Sequence, residues 1–185
     1  MKLEQYSVGS YFREAPEKRL EIIYDNYDNF PNVIIGFEKN LKLLIVSEKA
    51  AIRNRMRDEL GTRIQNSGNY SPTEANAITN MMIEQAIASG DFSDSMFKDL
   101  TIMQEVYDGY TEISVMKAEY EAFVSAFDSM VEAEKAIMIP YLNRSQSRDD
   151  IANNLGVTTE AVNQRIKRIK RGLKKKVIRS MRVYA

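Results

Sequence analysis

The sequence predicts an all-α fold: a helical N-terminal body with a long amphipathic helix leading into a C-terminal helix-turn-helix. Three observations predict it. Helix breakers are scarce, with 8 Gly and 4 Pro among 185 residues, while Ala, Glu, Lys, Arg, Met and Leu are plentiful. Apolar residues recur at spacings of three, four and seven over several stretches, which is the period of one helix face. Capping residues and prolines stand where such stretches begin, and Gly or Asn where they end.

In chain order, residues 1–14 show no clear period and read as a loose arm. Ala15, Pro16 and Glu17 mark a helix start, with Pro in the first turn and an acid behind it. Leu20, Ile23, Tyr24 and Tyr27 form its stripe, and Phe30-Pro31-Asn32 is expected to break it. A second helix is expected over 37–64, marked by Phe37, Leu41, Leu44, Ile45, Ile52, Met56 and Leu60. The run Leu43 to Val46 could instead form a short buried strand, although nothing nearby offers it a partner. Residues 66–69 read as a linker. Ser71, Pro72, Thr73 and Glu74 carry a capping box with Pro at the first helical position, and Gly90 ends the helix that follows.

Over 102–130 the apolar positions are Ile102, Val106, Ile113, Met116, Tyr120, Phe123, Phe127 and Met130, a heptad pattern with Gly109 at the skipped core position. Between Tyr70 and Asn143 there are 13 acidic and 3 basic residues. Two readings fit: a coiled coil that joins two copies into a homodimer, or an amphipathic helix inside its own chain's bundle. The expected division is an N-terminal helical region (1–70), an acidic helical or oligomerisation region (71–128) and a helix-turn-helix domain (129–185).

In the last region Ser129 and Glu132 have capping-box spacing, opening a helix with Ile137, Met138, Tyr141 and Leu142 and with Pro140 inside it. Residues 143–146 form a polar turn. Ser147 and Asp150 cap a short helix carrying Ile151, Ala152 and Leu155. Gly156, Val157 and Thr158 make a tight turn, where Gly permits a left-handed backbone and Thr158 caps the last helix. Val162, Ile166, Ile169 and Leu173 then form a buried stripe. At 100° per residue Glu160, Gln164, Lys167 and Arg171 fall opposite it, with Asn163 and Arg168 at the edges. A helix apolar inside and amide and basic outside suits the DNA major groove, because Asn and Gln pair with adenine and Arg and Lys with guanine.

Net charge is zero, with 26 basic and 26 acidic residues, but the charge is bipolar. Residues 144–182 hold 12 Lys or Arg and 3 Asp or Glu, a net of +9, which leaves 14 basic and 23 acidic residues and a net of −9 elsewhere. Behind the outer face Lys174, Lys175 and Lys176 suit phosphate contacts. The chain has no Cys and no His, which excludes thiol chemistry, disulfides, zinc fingers and imidazole catalysis. There is no Gly-rich phosphate loop and no metal-ligand pattern, so neither enzyme nor cofactor is expected. A serine recombinase would use Ser7 or Ser10 near Arg13, but no α/β pattern accompanies them. No apolar run approaches the roughly 18 residues of a membrane span, and a cytoplasmic protein is expected.

Residues 129–176 resemble region four of bacterial sigma factors and the related modules of small phage or mobile-element regulators. The resemblance is carried by Ile137, Met138, Ile139, Tyr141 and Leu142, then by the run from Ser147 through Ile151, Ala152, Leu155, Gly156 and Val157 to Val162, then by Arg165, Arg168 and Leu173. It implies that the last helix enters the major groove of double-stranded DNA, with Thr159, Glu160, Asn163, Gln164, Lys167, Arg168 and Arg171 at the bases or their edges. Ala161 stands where that family usually has Thr. A sigma factor also needs an aromatic-rich, usually Trp-bearing region to open promoters, and this chain has no Trp. The expectation is therefore a sequence-specific transcriptional regulator. The alternatives are a structural DNA-binding protein, such as a phage packaging subunit, and a sigma-like partner of RNA polymerase.

Overall fold

The protein is described by a computed structural model over residues 10–60 and 72–181. Within these residues it is helical throughout, without strands: α1 (Ser10–Arg13), α2 (Pro16–Asp25), α3 (Phe30–Leu60), α4 (Pro72–Ser89), a 3-10 turn (Ser95–Phe97), α5 (Met103–Asp128), α6 (Glu132–Leu142), α7 (Arg148–Leu155) and α8 (Thr159–Met181). The expected linker at 66–69, the capping box at 71–74, residues 61–64 of the expected second helix and most of the N-terminal arm lie outside the described residues. No helix described is long and apolar enough to cross a membrane.

The chain forms two compact units, one of residues Met1–Ile34 with Ser114–Ala185 and the other Ile35–Ile113. In the first, α8 packs against α7, α2 and α6. Its core is aromatic where α2 and the start of α3 meet the second half of α5. Phe123 takes the edge of Tyr24 at 5.3 Å, and Phe30 stacks on Tyr120 at 5.4 Å. Through this core runs a buried ionic contact. The Arg19 guanidinium donates to both oxygens of Glu119, at 2.6 to 3.1 Å, and Tyr11 Oη donates to Glu119 Oε2 at 2.8 Å. Arg19 Nη1 also donates to the carbonyls of Phe12 and Glu14, so one guanidinium ties α1, α2 and α5 together.

The second unit packs the rest of α3, α4, the 3-10 turn and the first half of α5 around Ile45, Ile83, Phe92, Phe97, Val106 and Ile113. Phe92 meets Phe97 edge-on at 5.4 Å. Gly90 closes α4 with φ +76, and the Tyr110 ring occupies the space a Cβ would need.

Three local expectations change. Phe30-Pro31-Asn32 is the first turn of α3 and not a break; the break falls just before it, in the turn at Asn26–Asn29, where Asn29 N donates to Asn26 O. Proline fits there because first-turn amides have no helical acceptor. The run Leu43 to Val46 is helical, with Ile45 fully buried and Leu43 66 % exposed, a helix's sidedness rather than a buried strand's. Ser129 and Glu132 form no capping box. Helix α6 starts behind Val131 with no side-chain cap, and Ser129 Oγ donates back to Ala126 O at 2.7 Å, closing the end of α5. Of the heptad stripe, Val106, Ile113, Met116, Phe123, Phe127 and Met130 are buried within the chain, while Ile102 and Tyr120 are half-buried.

Candidate nucleic-acid interface

Helix α7 begins with a full capping box. Ser147 Oγ accepts from Asp150 N at 3.1 Å, and the Asp150 carboxylate accepts from Ser147 N at 2.9 Å and from Ser147 Oγ at 2.6 Å. These bonds hold the Asp150 carboxyl below its ordinary value of 3.8. The helix ends at Gly156, whose φ of +62 is the left-handed conformation glycine adopts without cost. Gly156 N and Val157 N return to the carbonyls of Asn153 and Ala152, and Thr158 Oγ1 accepts from Ala161 N at 3.2 Å to open α8. Ile151 and Ala152 are buried as expected, but Leu155 is 40 % exposed, because the chain turns away at Gly156 before anything covers it.

Helix α8 is 23 residues long, or about 34 Å at 1.5 Å per residue. Its buried stripe of Val162, Ile166, Ile169 and Leu173 continues into Val177. Ile178 and Met181 are buried too, but at 100° per residue they fall about 160° and 100° from Val162, so the helix is buried on more than one side past Lys175. Burial of each such side chain stabilises the packed helix by about 1.5–3 kcal/mol.

The structure brings Glu160, Gln164, Lys167, Arg171, Lys174 and Lys175 together on the exposed side of α8, with Arg168 exposed and Asn163 half-buried at its edges. Gln164 Nε2 donates to Glu160 Oε1 at 3.3 Å, so its amide is held along the face. Two predicted residues point elsewhere. Thr159 is half-buried and donates its hydroxyl to Asp149 Oδ1 at 2.6 Å, tying the start of α8 to α7. Lys176 lies only about 40° from the buried stripe at 100° per residue, and its Nζ donates to Ser129 Oγ at 3.1 Å. Among the described residues, Arg165, Lys167, Arg168, Arg171, Lys174, Lys175 and Arg179 form no ion pair. The only acid of α8 is Glu160, in its first turn. Beyond Glu160 the charges of this face are all positive, an arrangement that suits a polyanion.

Arg165 and Arg179 were not singled out as binding residues by the sequence, yet both are exposed. Lys170 was absent from the expected face and has a different position. Its Nζ lies 4.7 Å from the centre of the Tyr24 ring and 4.9 Å from that of Tyr141, and it donates to Tyr141 Oη at 3.2 Å. Arg148 lies over the other part of the same contact, 5.5 Å from the Tyr141 centroid. Burial raises the Tyr141 hydroxyl, but the hydrogen bond and charge of Lys170, with those of Arg148, outweigh it and leave the group below its ordinary value. The Tyr24 hydroxyl, buried and without a hydrogen-bond partner among the described residues, is pushed up by burial and by Tyr141. Cation–π contacts of this kind are worth about 0.5–2 kcal/mol. Here they pin α8 to α2 and α6 from behind and leave the outer face open. On the same side of the module, Arg144, with φ +52, donates to Asp25 O at 3.1 Å and anchors the turn before α7 to the end of α2.

Comparison with protein-family models, with curated proteins and with solved structures returns no match to this chain.

Proposed function

We propose that residues 129–181 form a helix-turn-helix that binds double-stranded DNA and that the chain is a sequence-specific transcriptional regulator. The observation that carries this reading is the division of α8 over residues 160–175: one stripe buried, and opposite it an exposed face of amide and unpaired basic side chains. A helix about 34 Å long exceeds the roughly 12 Å width of the major groove. Glu160, Gln164 and Lys167, near its start, are therefore the base-reading residues, with Asn163 at the edge. Arg171, Lys174 and Lys175 run on past the groove to the phosphates, which position the protein without reading sequence. The tight αL turn and the short capped α7 set the angle at which α8 is presented.

Selection of bound fragments from random duplex DNA tests this reading. The expected result is an enriched motif. Gln164→Ala or Lys167→Ala relaxes the preference at individual positions, at about 1–3 kcal/mol per lost bidentate base contact. Lys175→Ala weakens all sequences alike. An unenriched pool, or identical selections from all three variants, overturns the assignment of the face.

A further inference from the structure

We propose that the second unit binds a small anionic amphiphile, a carboxylate carrying an apolar tail, in the cavity between α3 and α4. The cavity has a volume of about 520 Å³, within the range of small-molecule sites. Its wall mixes two chemistries, with the cations interleaved among apolar residues along α3. Val46, Ile52, Ile83 and Leu100 supply apolar surface, while Lys49 and Arg53 supply two cations from successive turns of α3. Asn76, Thr79 and Asn80 add amide and hydroxyl groups from α4.

The cations argue for an anion. Like charges four residues apart on a helix repel each other, and here both line one concavity, where Asp99 is the one acid among the described lining residues and Asp94 also acts on Lys49 from outside the lining. Among the described residues Arg53 makes no hydrogen bond or ion pair, so its planar donor fork is available for a carboxylate. Lys49 Nζ donates once, to Met96 O at 2.7 Å, and its remaining two donors are free to converge with Arg53. Burial, and then the charge of Arg53, hold the Lys49 ammonium below its ordinary value although Asp99 and Asp94 act the other way, and an incoming anion would add to their effect. A neutral apolar ligand would leave these two cations unmet, and a cationic one would add to the repulsion. The inference is independent of the DNA-binding reading, whose residues lie in the other unit.

Calorimetric titration of the full chain with octanoate, octanol and octylammonium, which share one tail, tests it. Octanoate is expected to bind at one site per chain, octanol more weakly and octylammonium not at all. Arg53→Gln, at an exposed position, should weaken octanoate about tenfold, the worth of a charge-assisted hydrogen bond, and leave octanol unchanged. Thr79→Trp, which fills the cavity, should weaken both, with a thermal melt confirming that the variant is folded. Lys175→Gln, on α8, should change neither. The proposal is overturned by absent octanoate binding, by equal affinity for octanoate and octanol, by octanoate affinity unchanged in Arg53→Gln, or by its loss in Lys175→Gln.

Discussion

Replacing Glu119 by Gln should destabilise the protein by about 3–5 kcal/mol, because it leaves a buried guanidinium without its counter-charge. The magnitude follows from the geometry of the contact. The side chains of Arg19 and Glu119 are 3 % and 0 % exposed, so water cannot replace what is removed. Glu119 accepts three contacts from Arg19 and one from Tyr11, and Gln presents an amide nitrogen to at least one of those donors. Whole domains are stable by only about 5–15 kcal/mol, so the loss is a large fraction of the total. For a chain of this size it corresponds to a fall in Tm of about 6–20 °C. Thermal unfolding followed by circular dichroism reads it directly. The double variant Arg19→Met with Glu119→Leu should recover most of the loss, since a buried pair replaced as a whole costs little. A melting temperature unchanged in Glu119→Gln, or a double variant no better than the single one, would refute the claim that this pair closes the first unit.

Other substitutions separate local effects. Ser147→Ala removes the Oγ that caps α7 and should cost about 0.5–2 kcal/mol in chemical denaturation. The same change sets a pH signature. Asp150, depressed in the folded state, contributes stability that is present above its ordinary 3.8 and lost as pH falls through its folded value; the gap between wild type and Ser147→Ala should therefore narrow on acidification through that range. A gap constant with pH would show that Asp150 is not coupled to the cap. Gly156→Ala meets nothing within 4 Å and should cost only the left-handed backbone strain, about 1–2 kcal/mol. Gly90→Ala adds a collision with the Tyr110 ring to the same strain and should be clearly worse, by about 1–3 kcal/mol more; equal costs for the two would show that Tyr110 moves aside freely.

Much of the C-terminal module was legible in the sequence because its determinants are local. The stripe of α8 is a four-three-four spacing, the turn needs Gly156, and the cap of α7 needs only Ser147 and Asp150. What the sequence concealed is partner choice over long separations. Arg19 and Glu119 are 100 residues apart, and each alone is an ordinary charged residue on a helix. Lys170 belongs to a basic run, and only the approach of Tyr24 and Tyr141 withdraws it from the outer face. The heptad stripe of α5 left a dimer seam and an internal core equally open, since both need the same spacing; the aromatic residues of α2 and α3 that cover part of it are distant in sequence. Ser129 matched a capping pattern but stands where α5 ends, and the carbonyl of Ala126 competes for its hydroxyl. Phe30-Pro31 failed for a related reason, since proline marks both the end of one helix and the first turn of the next.

The salt dependence of binding shows whether the exposed face of α8 holds duplex DNA through its unpaired cations. With about six phosphates contacted, log K should fall linearly with log salt at a slope near −5, and affinity should drop about a thousandfold between 50 and 200 mM. Measured by fluorescence anisotropy on a labelled duplex, the paired change Lys174→Gln with Lys175→Gln should make that slope shallower by about two. Binding indifferent to salt, no binding even at the lowest salt, or a slope untouched by the paired change would rule out DNA binding by this face.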